Sequence, residues 1–150
     1  IMSQFQAKAL SRADIPEHRR QDFTLFVDVF QNLVTDSFAS ILSEARKYRL
    51  NLVLSNQYTA QLSPEIQAAI FGNAGTIIAF RVGNADAEVL EKEVGTFSAH
   101  QFTELEKHHA YVKHVDSDGD VVPFRVRMAP PIDVFHGRRA RMIRDSRKKY

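Results

Sequence analysis

The sequence predicts an α/β fold, a three-layer sheet of mainly parallel strands with helices on both faces, followed by a β-hairpin and a basic tail. Two observations predict the sheet. Short apolar runs end at Val27, Leu54 and Phe80, and they alternate with stretches of helical periodicity. Two strands of alternating character then flank Asp116-Ser117-Asp118-Gly119-Asp120, which reads as a hairpin at a sheet edge. A third observation sets off the tail: from Gly137 onward stand seven basic residues (Arg138, Arg139, Arg141, Arg144, Arg147, Lys148, Lys149) and one acid, Asp145.

Each element follows from local chemistry. Met2 to Arg12 carries Phe5 and Leu10 among small alanines and predicts a helix ending near Ser11. Ala13 to Gln21 is polar, contains Pro16, and reads as a loop. Phe23 to Val27 is a continuous apolar run of the kind buried on both faces of a parallel sheet. It stops at an acid, Asp28. Asp36 to Arg49 predicts the clearest helix, with Phe38, Ile41, Leu42 and Ala45 on one face and Thr35 or Asp36 as N-cap. Leu52-Val53-Leu54 forms a second strand that ends in Ser55-Asn56-Gln57.

Ser63-Pro64-Glu65 then starts a helix with a cap, a proline in the first position and an acid in the first turn; it closes at Gly72. Gly75 to Val82 holds the third strand. Asn84 caps a helix that runs to Val94, with Gly95 as its stop. Ser98 and Gln101 make a capping box, stapled by Phe97 and Phe102. His109 to Val115 and Val121 to Met128 are the hairpin strands, and Pro130-Pro131 ends the packed domain.

Composition narrows the chemistry. At 150 residues, 44% hydrophobic and 25% charged, the chain suits one globular domain. It has no cysteine, which excludes disulfides, thiolate metal sites and a cysteine nucleophile. No apolar run approaches the roughly 20 residues that span a bilayer, and no signal peptide is visible. The net charge is +2, and the tail alone carries +6, so residues 1–136 carry −4. The body is mildly acidic, and the basic end could bind DNA phosphates or an anionic membrane, or stand as a solvated charge run.

Asp28 stands where ligands of open α/β sheets bind, beyond a strand's carboxyl end. A carboxylate there can hold Mg²⁺ beside phosphates, or it can cap the next turn. Asp116, Asp118 and Asp120 lack the later bidentate glutamate of a calcium loop and read as an acidic turn. His108 and His109, adjacent in a strand, point to opposite faces and do not make a zinc pair.

Taken together, Val27-Asp28, Leu42-Ser43-Glu44-Ala45-Arg46-Lys47-Tyr48, Ser55-Asn56-Gln57 and Phe71-Gly72-Asn73 resemble a known family. The chain is similar to the hexameric DNA-pumping ATPases of the HerA/FtsK class, P-loop motors with a RecA-like domain. Within that class it most resembles conjugative coupling proteins of the TraG/TraD kind, which feed DNA into type IV secretion systems. The likeness runs from about Phe5 to Tyr150.

That resemblance implies a partial RecA-like fold, with residues 1–135 as the C-terminal half of a motor domain and 136–150 as a basic, helical tail. It assigns Mg²⁺ binding to Asp28, sensing of the ATP γ-phosphate to Gln57, and an arginine finger reaching a neighbouring subunit's ATP to Arg46. Lys47 could substitute for Arg46, without the guanidinium fork. The bland alternatives are a solvated helix cation for Arg46 and a loop amide for Gln57. The implied partners are other copies in a ring, DNA, and relaxosome or secretion-system proteins. The implied compartment is the cytoplasm, at the inner membrane's cytoplasmic face through segments outside this chain.

Two departures matter. The residue after the strand acid is normally a glutamate that activates water, and here it is Val29, which accepts no proton. The Gly-x-x-x-x-Gly-Lys-[Ser/Thr] phosphate loop is absent, so the chain reads as the second half of a motor core cut from a longer protein. ATP and Mg²⁺ are expected on the full-length protein and not on this chain alone. A catalytically degenerate module that docks protein or DNA is the second expectation.

Overall fold

A computed structural model describes residues 2–33, 37–130 and 138–149. Helix α1 (Met2–Leu10) leads to strand β1 (Phe23–Val27), helix α2 (Ser37–Glu44) and strand β2 (Leu50–Leu54). Helix α3 (Pro64–Asn73), strand β3 (Thr76–Ala79), and helices α4 (Asn84–Val94) and α5 (Ala99–Thr103) follow. Strands β4 (His109–Val115) and β5 (Val121–Arg127) complete the sheets, and helix α6 (Arg138–Lys149) is the basic tail. The α/β class is as expected.

The strands divide into two sheets. β1 and β2 pair in parallel, Phe23 opposite Leu50 and Val27 opposite Leu54. β3, β4 and β5 form an antiparallel sheet in that order. The sequence reading expected mainly parallel strands, and β3 departs from it by pairing antiparallel to β4. The antiparallel neighbour was near in sequence: β4 follows β3 after two short helices and can fold back on it.

Each sheet has its own core. Ala9, Val27, Phe30, Phe38, Ile41, Leu50, Leu62 and Ile66 pack α1, α2 and α3 against β1–β2. Ala79, Ala87, Leu90, Val94, Phe102, Leu105 and Tyr111 pack α4 and α5 against β3–β4. In β1 and β2 only one face is covered. Leu25 and Val27 meet the core, whereas Phe26 is 74% exposed and its register partner Val53 is 47% exposed. The expectation that Phe23–Val27 is buried on both faces is therefore corrected. An apolar run looks the same in sequence whether one face or two are covered, because the covering layer is not local.

Helix ends follow their local chemistry closely. Ser63 Oγ accepts from the Ile66 amide at 3.4 Å, ahead of Pro64. The Glu65 carboxyl is held below its ordinary value by its own backbone amide and then by the Ser63 hydroxyl. Gly95 takes the left-handed conformation, φ 78°, that stops α4. The cap of α4 is Gly83 and not Asn84, a shift of one residue. Ser98 and Gln101 close the expected capping box. In the β4–β5 turn the Asp116 carboxylate accepts from the amides of Asp118 and Asp120, both at 2.9 Å, so this acid shapes the turn.

The predicted Asp36–Arg49 helix is shorter than expected. α2 ends at Glu44 and continues as a 3₁₀ turn, Ala45–Tyr48, that carries Arg46 and Lys47. Two arginines from the loop after α1 hold this turn. Arg20 donates to the Lys47 carbonyl and lies 5.5 Å from the Tyr48 ring centroid, and Arg12 donates to the Tyr48 carbonyl at 3.2 Å. Charged donors thus satisfy carbonyls that the last turn of a helix leaves without an internal partner. The proposed caps Thr35 and Asp36, and the boundary near residue 135, lie outside the described residues.

Phe102 is fully buried and meets Phe97 and Tyr111 edge-on, at 6.2 and 5.2 Å between ring centroids. Phe102→Ala is expected to cost about 3–5 kcal/mol, read as a lower urea midpoint at unchanged slope. An unchanged midpoint would show that this aromatic cluster does not hold the second core.

Candidate functional site

The carboxyl ends of β1 and β2 lie side by side, and the chain beyond each is tied to the other. The Ser55 amide donates to the Val27 carbonyl at 2.9 Å, and the Phe30 amide donates to the Ser55 carbonyl at 3.1 Å. The Ser55 hydroxyl donates to Asp28 Oδ1. Asp28 itself is exposed.

Between Asp28 and Phe30 the backbone is strained. Val29 has φ 51°, in the left-handed region that β-branched residues avoid. The strain is held from both sides. Phe30 is 3% exposed and stacks on Phe38 with centroids 5.8 Å apart, while its amide is fixed to Ser55. Strain of this kind persists only where neighbours over-determine it, and it clusters at sites of function.

The segment after β2 is equally pinned. Asn56 Nδ2 donates to the Tyr58 carbonyl at 2.8 Å, and Gln67 Nε2 of α3 donates to the carbonyls of Thr59 and Leu62. The Thr59 amide donates to Asp86 Oδ1 at 2.8 Å, and the Thr59 hydroxyl donates to the same oxygen. Asp86 is 6% exposed and sits in the first turn of α4, where the helix dipole favours an anion. Gln57 is exposed on this loop.

The structure thus brings Asp28 and Gln57 to the ends of neighbouring parallel strands. The side chain that meets Asp28 is Ser55, and no hydrogen bond joins Asp28 to Gln57 among the described contacts. Arg46 is placed by its backbone on the Ala45–Tyr48 turn, after α2, and its side chain lies outside the described residues. Sequence reasoning missed Asp86. An acid two residues after a helix start reads as an ordinary dipole partner, and only the fold brings Thr59 to it. It also passed over Ser55 in favour of Gln57. The signal was available in Ser55's position directly after the strand, one residue past the partner of Val27.

Fitness for Mg²⁺ can be judged from the donors. Magnesium keeps several waters and takes one or two carboxylates plus substrate phosphates. An exposed Asp28 with one oxygen fixed by a hydroxyl fits that mode, and no group of three or more metal-ligating side chains occurs among the described residues. The comparison with protein-family models and with curated proteins finds no match to this chain.

Asp86→Ala would leave the Thr59 amide and hydroxyl without their acceptor. It is expected to cost about 1–3 kcal/mol and to speed amide exchange at Thr59, whereas Asp86→Asn, which keeps an acceptor oxygen, should cost less. Equal costs for the two variants would show that the hydrogen bonds do not fix this loop.

Proposed function

We propose that this chain is the C-terminal half of a RecA-like motor domain in an ATP-driven DNA translocase of the HerA/FtsK class, akin to conjugative coupling proteins. The observation that carries the reading is the Asp28–Ser55 hydrogen bond across the carboxyl ends of β1 and β2, beside strained Val29. Open α/β sheets bind ligands at such ends, and an acid there suits a hydrated Mg²⁺.

In this reading the full protein carries the three-layer sheet, and copies assemble in a ring. Asp28 holds the metal's water shell, and Ser55 fixes the rotamer of Asp28. When bound, Mg²⁺ supplies charge neutralisation to the ATP phosphates. Gln57, on a loop pinned by Asp86 and Gln67, touches the γ-phosphate. Arg46 stabilises charge on a neighbouring subunit's ATP. The basic helix α6, whose described side chains from Arg141 to Lys148 are exposed, contributes phosphate contacts to DNA. No helix among the described residues is long and apolar enough to cross a membrane.

Val29 favours a second reading, a degenerate relative that docks protein or DNA without hydrolysis, since valine accepts no proton. Two experiments separate the readings. Calorimetric titration of the isolated chain with ATP·Mg²⁺ should show weak or no binding, because the phosphate loop is missing from it; micromolar affinity would point to another nucleotide site. In a protein restored with an upstream half bearing that loop, Val29→Glu should raise hydrolysis about 10²–10⁴-fold. An unchanged rate would favour the docking reading.

The trans role of Arg46 has its own test. In the restored ring, mixing Arg46→Ala subunits with Asp28→Ala subunits should recover activity that neither ring has alone, because intact Asp28 and Arg46 meet at some interfaces. No recovery at any mixing ratio would remove Arg46 from the site.

A further inference from the structure

The turn that carries Arg46 is held from outside its own helix. Arg20, in the loop between α1 and β1, commits all three of its guanidinium nitrogens to backbone carbonyls. Nη1 donates to Lys47, Nη2 to Ala13 at 3.4 Å, and Nε to both Arg12 at 3.1 Å and Ile15 at 2.8 Å. The guanidinium carbon lies 5.5 Å from the centroid of the Tyr48 ring. One cation therefore joins the chain at 12–15 to the Ala45–Tyr48 turn, 27 positions on from Arg20 at Lys47.

The next two carbonyls are taken as well. Arg12 Nη1 donates to the Tyr48 carbonyl at 3.2 Å, and the Phe23 amide of β1 donates to the Arg49 carbonyl at 3.0 Å. Three successive peptide groups are thus anchored to the segment that leads into β1. Arg49 stands in the left-handed region, φ 54°, and closes the turn before β2 begins at Leu50.

Among the described residues no carboxylate pairs with Arg20, so its donors go to peptide oxygens. A planar guanidinium can donate in three directions at once, whereas an ammonium is a compact point charge. The turn needs such a clamp, because 3₁₀ hydrogen bonds have poorer geometry than α-helical ones. A group that stabilises developing charge needs a fixed backbone, since a misplacement of about 1 Å can cost about 10²-fold in rate.

We infer that Arg20 is a positioning residue for Arg46: its guanidinium holds the Ala45–Tyr48 turn in the conformation from which Arg46 serves a neighbouring subunit's ATP. Arg20 acts through the Lys47 carbonyl and touches no nucleotide itself. The inference rests on the motor reading, in which Arg46 works in trans.

The test uses the restored ring, with single variants, the Arg20→Ala/Arg46→Ala double variant and mixed subunits. Arg20→Ala is expected to lower kcat at least about tenfold, with KM for ATP changed less than about twofold, because the finger acts on charge that develops in the transition state. In the Arg46→Ala background the same change should lower kcat less than about twofold further. Arg20→Ala subunits mixed with Asp28→Ala subunits should regain activity, since the lesion lies at the neighbour's site and their own Asp28 is intact. A role in folding alone would give the reverse: a misfolded subunit loses its Asp28 site too, and mixing recovers nothing. Three results overturn the inference: unchanged kcat in Arg20→Ala, an equal further loss in the Arg46→Ala background, or no recovery on mixing. Arg20→Lys, which keeps the charge and loses the fork, is read by the same three criteria if Arg20→Ala rings do not assemble. Full activity of Arg46→Ala rings would remove the trans finger itself, and this inference with it.

Discussion

Ser55 is the point on which the first half of the molecule depends. Its amide, carbonyl and hydroxyl bond to Val27, Phe30 and Asp28 in turn, so one residue holds three consecutive features of the chain leaving β1. The register of β1 on β2 sets where Ser55 falls, directly after the partner of Val27. A slip of one residue would turn Leu50, Leu52 and Leu54 out of the core and take Ser55 away from Asp28 together. Core packing and site geometry are thus fixed by the same register.

The second constraint is the separation of the two sheets. α3 bridges them, with Ile66 in the first core and Phe71 packed against the second. Asp86 adds a polar tie, from the first turn of α4 to the loop after β2. These two links hold β2 and β3 across a groove in place of direct pairing. The same arrangement leaves Phe26, Val53, Ile78 and Phe80 at least half or nearly half exposed on the sheet surfaces.

What the sequence made legible was local. Ser63-Pro64, Gly95 and the Ser98–Gln101 box each act within four residues, and each was found where its chemistry placed it. The hairpin was equally legible, because alternation and an acidic, glycine-containing turn are both short-range signals. The Asp28 position and the Ser55-Asn56-Gln57 strand end were visible as punctuation after apolar runs. Illegible were the features set by distant partners. The one-sided burial of Phe23–Val27, the antiparallel pairing of β3 and the capture of Thr59 by Asp86 depend on residues 27 or more positions apart. The end of α2 belongs with them: Arg12 and Arg20 reach the Tyr48 and Lys47 carbonyls from far upstream, and helical periodicity carries no record of that.

Val29 shows how local rules and site geometry part company. A β-branched residue in the left-handed region carries a cost of about 1–3 kcal/mol, and a free loop would relax it. It persists here because relaxing φ at Val29 would pull the Phe30 ring off Phe38 or break the Phe30–Ser55 hydrogen bond. A buried phenylalanine contributes about 1.5–3 kcal/mol and the hydrogen bond about 1 kcal/mol, enough together to hold the turn. The direction in which side chain 29 leaves the backbone is therefore dictated by residue 30, whichever amino acid stands at 29. An unbranched side chain there would meet less steric opposition than valine does. The backbone thus presents position 29 rigidly beside Asp28, and valine fills that position without the chemistry that such a placement could serve.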